Sequence, residues 1–156
     1  MTVRFVSALV LLLGACLVLG GCVTRPTARV EVSERARTTA EAIVLSYTVI
    51  AANGGETELP LRMVDYSLEI DGRRVFKGRR SAEATLSRQA EHSIDLPVPL
   101  RWDDLPAEEV RVRLRGRLGY TLPGIFLEAM YDAGFYRPTV EFEYEGVLDA
   151  SALRDG

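Results

Sequence analysis

The sequence predicts an all-β protein, an antiparallel sandwich of about seven strands with one or two short helical turns. Three observations carry this. Apolar residues recur with a period of two in several separate runs, turn signals punctuate the runs, and no long window shows a helical stripe. The length of 156 residues suits one domain, and 47% apolar with 26% charged residues is globular composition. A net charge of −3 argues against a nucleic-acid partner. The single histidine, His92, excludes any site that needs two.

Each strand has its own signal. Val30 and Val32 alternate with Arg29, Glu31 and Ser33, and Leu45, Tyr47 and Val49 share one face of the run from Ala42 to Ala51. Asn53-Gly54-Gly55 ends that run. Val64, Tyr66, Leu68 and Ile70 then alternate with Met63, Asp65, Ser67 and Glu69. Asp71-Gly72 before Val75 signals a tight hairpin, because such turns need positive φ. Ile94, Leu96, Val98 and Leu100 form the next strand, whose Pro97 and Pro99 cannot donate to a ladder and so either place it at an edge or end it there. Val110, Val112, Leu114 and Leu118, then Val140, Phe142 and Tyr144, close the series. Helical turns are expected at 101–106 and 123–133. No repeat and no second domain is visible.

The first 21 residues read as an export signal, with Arg4 as the positive region and an apolar run from Phe5 to Leu19. As a helix that run covers only about 22 Å, short of a bilayer core of about 30 Å. It closes on Leu19-Gly20-Gly21-Cys22, which resembles a bacterial lipobox and implies lipidation at Cys22. Leu13-Gly14-Ala15-Cys16 is a weaker rival, since cleavage there would leave Leu17-Val18-Leu19 exposed. A plain signal peptide with an incidental cysteine is the remaining alternative. With Cys16 removed and Cys22 lipidated, the mature chain has no free thiol and no disulfide. The expected division is a signal over 1–21, lipidated cysteine and tether over 22–27, sandwich over 28–148 and tail over 149–156. Val23 lacks the aspartate that, by resemblance to the enterobacterial sorting rule, retains lipoproteins in the inner membrane. The expected location is therefore the outer membrane, facing the periplasm.

The middle of the chain carries a family resemblance. Asn53, Leu59-Pro60-Leu61, Tyr66-Ser67-Leu68-Glu69-Ile70, Gly72, Phe76 and Gly78 precede Ser93-Ile94-Asp95-Leu96-Pro97-Val98. This order resembles the type 2 late embryogenesis abundant family, the water stress and hypersensitive response (WHy) domain. The family has an asparagine-proline pair where Asn53-Gly54 stands here. The resemblance implies an immunoglobulin-like or fibronectin-III-like sandwich without catalytic residues, associated with desiccation and other stress. As scaffold, Tyr66 and Leu68 turn inward, Gly72 supplies positive φ and Gly78 permits a bend.

No reaction chemistry is legible. His92 beside Glu91 lacks a supported nucleophile and reads as a loop residue. Asp103-Asp104 with Glu108-Glu109 lacks the ligand spacing of a calcium loop and reads as a solvated helix start. No phosphate-binding glycine loop and no HExxH occurs. The reading is a non-enzyme without metal or cofactor, monomeric, held to the membrane by its lipid.

Two features remain. Arg111, Arg113, Arg115 and Arg117 fill the outward positions of one strand, and Glu141, Glu143 and Glu145 those of the last. Alone, the arginines suit an anionic polymer. Together, they read as facing rows of one ribbon, with Arg117 opposite Glu141, Arg115 opposite Glu143 and Arg113 opposite Glu145. A slip of one residue would put arginines opposite core positions, which leaves this register and those two residues away from it. The second feature is the segment 122–136, long and apolar for a hairpin loop, with Ile125, Phe126, Leu127, Met130, Tyr131, Phe135 and Tyr136. It folds either as a lid over one end of the sandwich or as a contact for a partner or membrane, through Phe126, Met130, Tyr131, Phe135 and Tyr136. The leading reading is a lipid-anchored, non-catalytic, stress-protective or binding module of the envelope. The alternative is an accessory lipoprotein of an envelope assembly or transport complex, contacting a protein through 122–136.

Overall fold

The structure is a computed structural model that describes residues 25–39, 41–106 and 109–154. Cys16, Cys22, the export signal and Glu108 lie outside these residues. The described strands are β1 (Thr27–Thr38), β2 (Ala42–Asn53), β3 (Leu59–Ile70), β4 (Arg73–Ser81), β5 (Thr85–Leu86), β6 (Ala90–Arg101), β7 (Glu109–Tyr120) and β8 (Thr139–Asp149). A 3-10 turn spans Trp102–Asp104, helix α1 spans Ile125–Asp132 and helix α2 spans Ala150–Arg154. The fold is an all-β sandwich. One sheet runs β1-β2-β6 and the other β4-β3-β7-β8, with β5 beside the start of β3. All pairs are antiparallel.

The period-two pattern builds the core directly. Ile43, Leu45, Tyr47 and Val49 of β2 stand opposite Leu100, Val98, Leu96 and Ile94 of β6, all buried. In the other sheet Leu68 faces Leu114, Ile70 faces Val112 and Val64 faces Leu118. β3 changes phase along its length: Leu59 and Leu61 point inward, then Val64, Tyr66 and Leu68 do. A register shift between Leu61 and Val64 supplies the extra residue that moves the inward face from odd to even numbers. β6 lies at a sheet edge, where Pro97 and Pro99 leave no ladder bond unmade. At the hairpin, Asp71 (φ 47°) and Gly72 (φ 80°) both adopt the left-handed conformation of a primed turn.

Tyr66 ties the two layers together. Its hydroxyl donates to the Pro97 carbonyl oxygen of the opposite sheet at 2.7 Å, and its neighbours in register are Gly78 and Gly116. A Cβ on Gly78 would lie 2.7 Å from the Phe76 ring and 3.1 Å from Tyr66. Gly78 therefore makes room for the Tyr66 and Phe76 rings, tilted by 47° with centres 5.5 Å apart, and this corrects the expectation that it serves a bend. His92 is likewise an exposed residue of β6 opposite Ala51, where a loop position was expected. The segment after Asp149 is folded as well, with α2 burying Ala150 against the core.

Buried tyrosines make the fold sensitive to alkali. Burial pushes the Tyr47 hydroxyl up to about 12, with Tyr144 adding to the effect, and burial also raises Tyr66 and Tyr120. A raised folded pKa is stability that is complete below the unfolded value near 10 and is lost as pH rises through the folded value. The melting temperature should hold to about pH 9.5 and fall above pH 10, Tyr47 alone accounting for about 2–3 kcal/mol by pH 12. Thermal melts in the wild type and in Tyr47→Phe check this, the variant losing less stability over that interval.

Candidate functional site

The strand directions gather two features at one end of the sandwich. β1 begins there, its Thr27 opposite Ala52. β7 ends and β8 begins there, joined through α1. Pro26 is buried, and Arg25 lies close enough to Tyr120 for its charge to oppose the upward effect of burial and of Tyr136 on that hydroxyl. The entry of the chain and the α1 segment thus share this end.

α1 is short and locally specified. Gly124 (φ 126°) precedes it, and Gly134 (φ 81°) follows it in the left-handed conformation that stops a helix. The backbone nitrogens of Phe135 and Tyr136 then both donate to the Met130 carbonyl oxygen. Tyr131 fastens the helix to the sandwich. Two guanidinium groups lie over its ring, Arg62 5.3 Å and Arg137 5.7 Å from its centre. Arg62 in turn donates to the buried Thr121 hydroxyl at 2.6 Å, and Arg137 to the Tyr131 carbonyl oxygen at 3.1 Å.

The rest of the segment stands in solvent. Ile125 is 90% exposed, Phe126 73%, Phe135 83% and Tyr136 41%, and no residue of α1 is buried. Met130 and Tyr131 are half-buried. The expectation of a lid over the core does not hold. Leu59, Leu61, Leu86 and Tyr120 already close this end, so α1 has no apolar surface left to cover. The five contact residues are therefore displayed on one segment, three of them openly.

The second candidate is the outer face of the β4-β3-β7-β8 sheet. β7 and β8 pair with Arg113 opposite Glu145, Arg115 opposite Glu143 and Arg117 opposite Glu141, while Leu114 meets Tyr144 and Leu118 meets Val140. Glu143 accepts from both Arg113 and Arg115, the latter at 2.8 Å, and Arg113 also lies 2.8 Å from Glu145. Hydrogen bonds from Arg115 and Arg113 hold the Glu143 carboxyl below the usual range, and the bond to Glu143 raises Arg115. β3 extends the pattern, setting Asp65 opposite Arg117 and Glu69 opposite Arg113, and Asp65 accepts from Arg79 at 2.6 Å. A shallow groove of about 610 Å³ over this face is lined by both signs, including Lys77, Arg115 and Arg117 with Asp65, Glu141 and Glu143. Mixed charge of this kind fixes register and keeps the face wet; it does not make a single-sign binding stripe.

Replacing Glu141, Glu143 and Glu145 with lysine should lower the melting temperature at low salt, with the loss shrinking as salt is added. Reversing Arg113, Arg115 and Arg117 to glutamate in the same chain should recover much of it. Melts at two ionic strengths measure both effects.

Sequence reasoning missed the polar hub at Asn53. This residue is 2% exposed. Its side-chain nitrogen donates to the carbonyl oxygens of Thr57 at 2.8 Å and Ser87 at 3.1 Å, and its side-chain oxygen accepts from the Gly55 nitrogen at 3.0 Å. The turn signal Asn53-Gly54-Gly55 marks the place, but only the β5 strand folded over it shows the burial. Among the described residues, no three His, Cys, Asp or Glu side chains come together to hold a metal ion. No helix among them is long and apolar enough to cross a membrane.

The comparisons with known proteins follow the fold. No curated protein matches the chain. Among solved structures, it is similar to a late embryogenesis abundant (LEA) protein determined in solution, at 15% identity and a TM-score of 0.61, covering 94% of this chain and 84% of that one. It is also similar to a protein from Archaeoglobus fulgidus, at 12% identity and a TM-score of 0.53, covering 79% and 94%. A protein from Arabidopsis thaliana follows at 13% and 0.51, covering 81% and 78%. At these identities the likeness establishes the sandwich and nothing more. The family model described as late embryogenesis abundant protein matches residues 48–145, from the middle of β2 to the ladder glutamates of β8, and with well over half of its length matched the chain belongs to that family.

Proposed function

We propose that this chain is a lipid-anchored, non-catalytic module of the type 2 (WHy) branch of its family. Held at Cys22 on the periplasmic side of a bacterial outer membrane, it protects or binds envelope components under desiccation and related stress. Family membership is the observation that carries the protective reading. The lipobox-like Leu19-Gly20-Gly21-Cys22 carries the anchoring. The exposed Phe126 and Phe135 favour, as a second reading, an accessory lipoprotein that meets an envelope protein through this segment.

Metabolic labelling with a fatty acid tests the anchor. Cys22→Ser should lose the label and Cys16→Ser should keep it; label that persists in Cys22→Ser contradicts the assignment. Cross-linking in intact envelopes then separates the two roles. Protection gives a spread of weakly captured clients, whereas an accessory role gives one dominant partner.

A further inference from the structure

We infer that the α1 end of the sandwich is a membrane-docking surface, inserting Ile125, Phe126 and Phe135 into the boundary between headgroups and acyl chains of a phospholipid bilayer. The inference rests on the anchoring reading for its geometry, because the tether decides which end of the domain meets the membrane.

Four observations lead there. The first is exposure: Ile125, Phe126, Phe135 and Tyr136 follow one another closely in one segment, whereas the other exposed large apolar residues among the described ones, Val32, Met63 and Val147, sit on three different strands. Clustered exposure of this kind marks a contact, and scattered exposure does not. The second is continuity. Met130 lies one turn after Phe126 on the same helix face, and its carbonyl oxygen receives the Phe135 and Tyr136 nitrogens, so the exposed residues form one ridge.

The third is where the chain outside the structure ends. Residues 1–24 precede Arg25, which lies beside Tyr120 at this same end. Only Val23 and Thr24 separate Cys22 from Arg25, three Cα-to-Cα steps that reach at most about 11 Å. A lipid on Cys22 would therefore hold this end, and not the Asp71 or Trp102 end, against the bilayer. The fourth is composition. Ile125 and Phe126 form an apolar tip, while Tyr131 and Tyr136 have amphipathic rings and Arg25, Arg62 and Arg137 supply cations beside them. Aromatic rings and long arginines suit the interfacial depth, where one part of the side chain is buried and the other is wet. Glu128 and Asp132 on the same helix offset the arginines, so insertion of apolar area drives docking and anionic lipid does not. With eight residues, about 12 Å, α1 lies in the interface and cannot span it.

The chain, exported and purified from membranes, is reconstituted into phosphatidylcholine vesicles whose acyl chains are brominated near the headgroup. The wild type has one tryptophan, Trp102, at the opposite end of β6, about 40 Å of strand away, and serves as the reference. In Phe126→Trp or Phe135→Trp the added emission should shift to the blue and be quenched, while Trp102 emission in the wild type is not. The quenching should survive added salt. Phe126→Ala with Phe135→Ala should leave the melting temperature unchanged, which separates docking from folding. Unquenched emission in a vesicle-bound, fatty-acid-labelled chain overturns the docking and leaves the anchor intact. Emission that is unquenched in vesicles but shielded in native envelopes also overturns it, in favour of a protein on this surface. Quenching in a chain without label supports the docking and shows that the anchoring reading, not this one, has failed.

Discussion

Replacing Asn53 with alanine should destabilise the sandwich by about 3 kcal/mol or more, since a buried group stripped of its partner costs about 1–3 kcal/mol and several are stripped at once. The side chain is the joint between the β2–β3 loop and the approach to β6. It bonds Thr57 and Gly55 on one side and Ser87 on the other, with the Leu86 oxygen 3.4 Å away. Alanine strips these part-buried main-chain groups of the one side chain, itself 2% exposed, that joins them. For a domain of this size the loss corresponds to a fall of about 10 °C in melting temperature. Asn53→Asp should also fail to rescue, because it replaces the donor with an acceptor facing carbonyl oxygens. Denaturant melts of both variants measure this, and an Asn53→Ala change below 1 kcal/mol, taken roughly as the lower bound for one lost bond, would refute the hub.

Phe142→Ala should cost about 3–5 kcal/mol, the range for a buried aromatic. Phe142 is 4% exposed and pairs with Gly116 across the β7–β8 ladder. Its ring lies over the main chain of Gly116, where an added Cβ would overlap the ring and approach the Asp65 carbonyl oxygen to 2.8 Å. Gly116→Ala should therefore destabilise by about 1–3 kcal/mol through overpacking. The double variant should cost less than the sum of the two, because alanine at 142 removes the ring that the new methyl strikes. Full additivity would mean that the ring and the glycine do not share the space assigned to them.

Much of this architecture is written in short-range patterns. Alternation from Val64 to Ile70 and from Val110 to Leu118 reports which face is buried, and Asp71-Gly72 reports the hairpin. The facing of the ladder was legible for a stronger reason: Arg111 to Arg117 and Glu141 to Glu145 fill alternate positions of two strands, so a one-residue slip would bury charge, while the choice against a two-residue slip is made by the structure. What escaped is set by contacts between segments remote in sequence. β5 is two residues long and has no periodicity to read. The phase change at Arg62–Met63 interrupts the alternation of β3 without a glycine or proline to announce it. Gly78 reads as a bend in the sequence, yet it and Gly116 leave space for aromatic rings, Phe76 on the same strand as Gly78 and Phe142 on the strand beside Gly116. The α1 segment is apolar in either reading, and its openness depends on Leu59, Leu61, Leu86 and Tyr120 having closed the core first.

The protective role is the claim on which the functional reading turns, and drying a sensitive enzyme with and without the chain tests it most directly. A labile enzyme is air-dried with the purified chain, with an equal mass of an unrelated β-sandwich, or alone, then rehydrated and measured for light scattering and residual activity. The account predicts less scattering and more surviving activity with the chain than with either control, the benefit growing with the ratio of chain to client. Equal loss in all three samples would contradict protection and leave the accessory, partner-binding reading in its place.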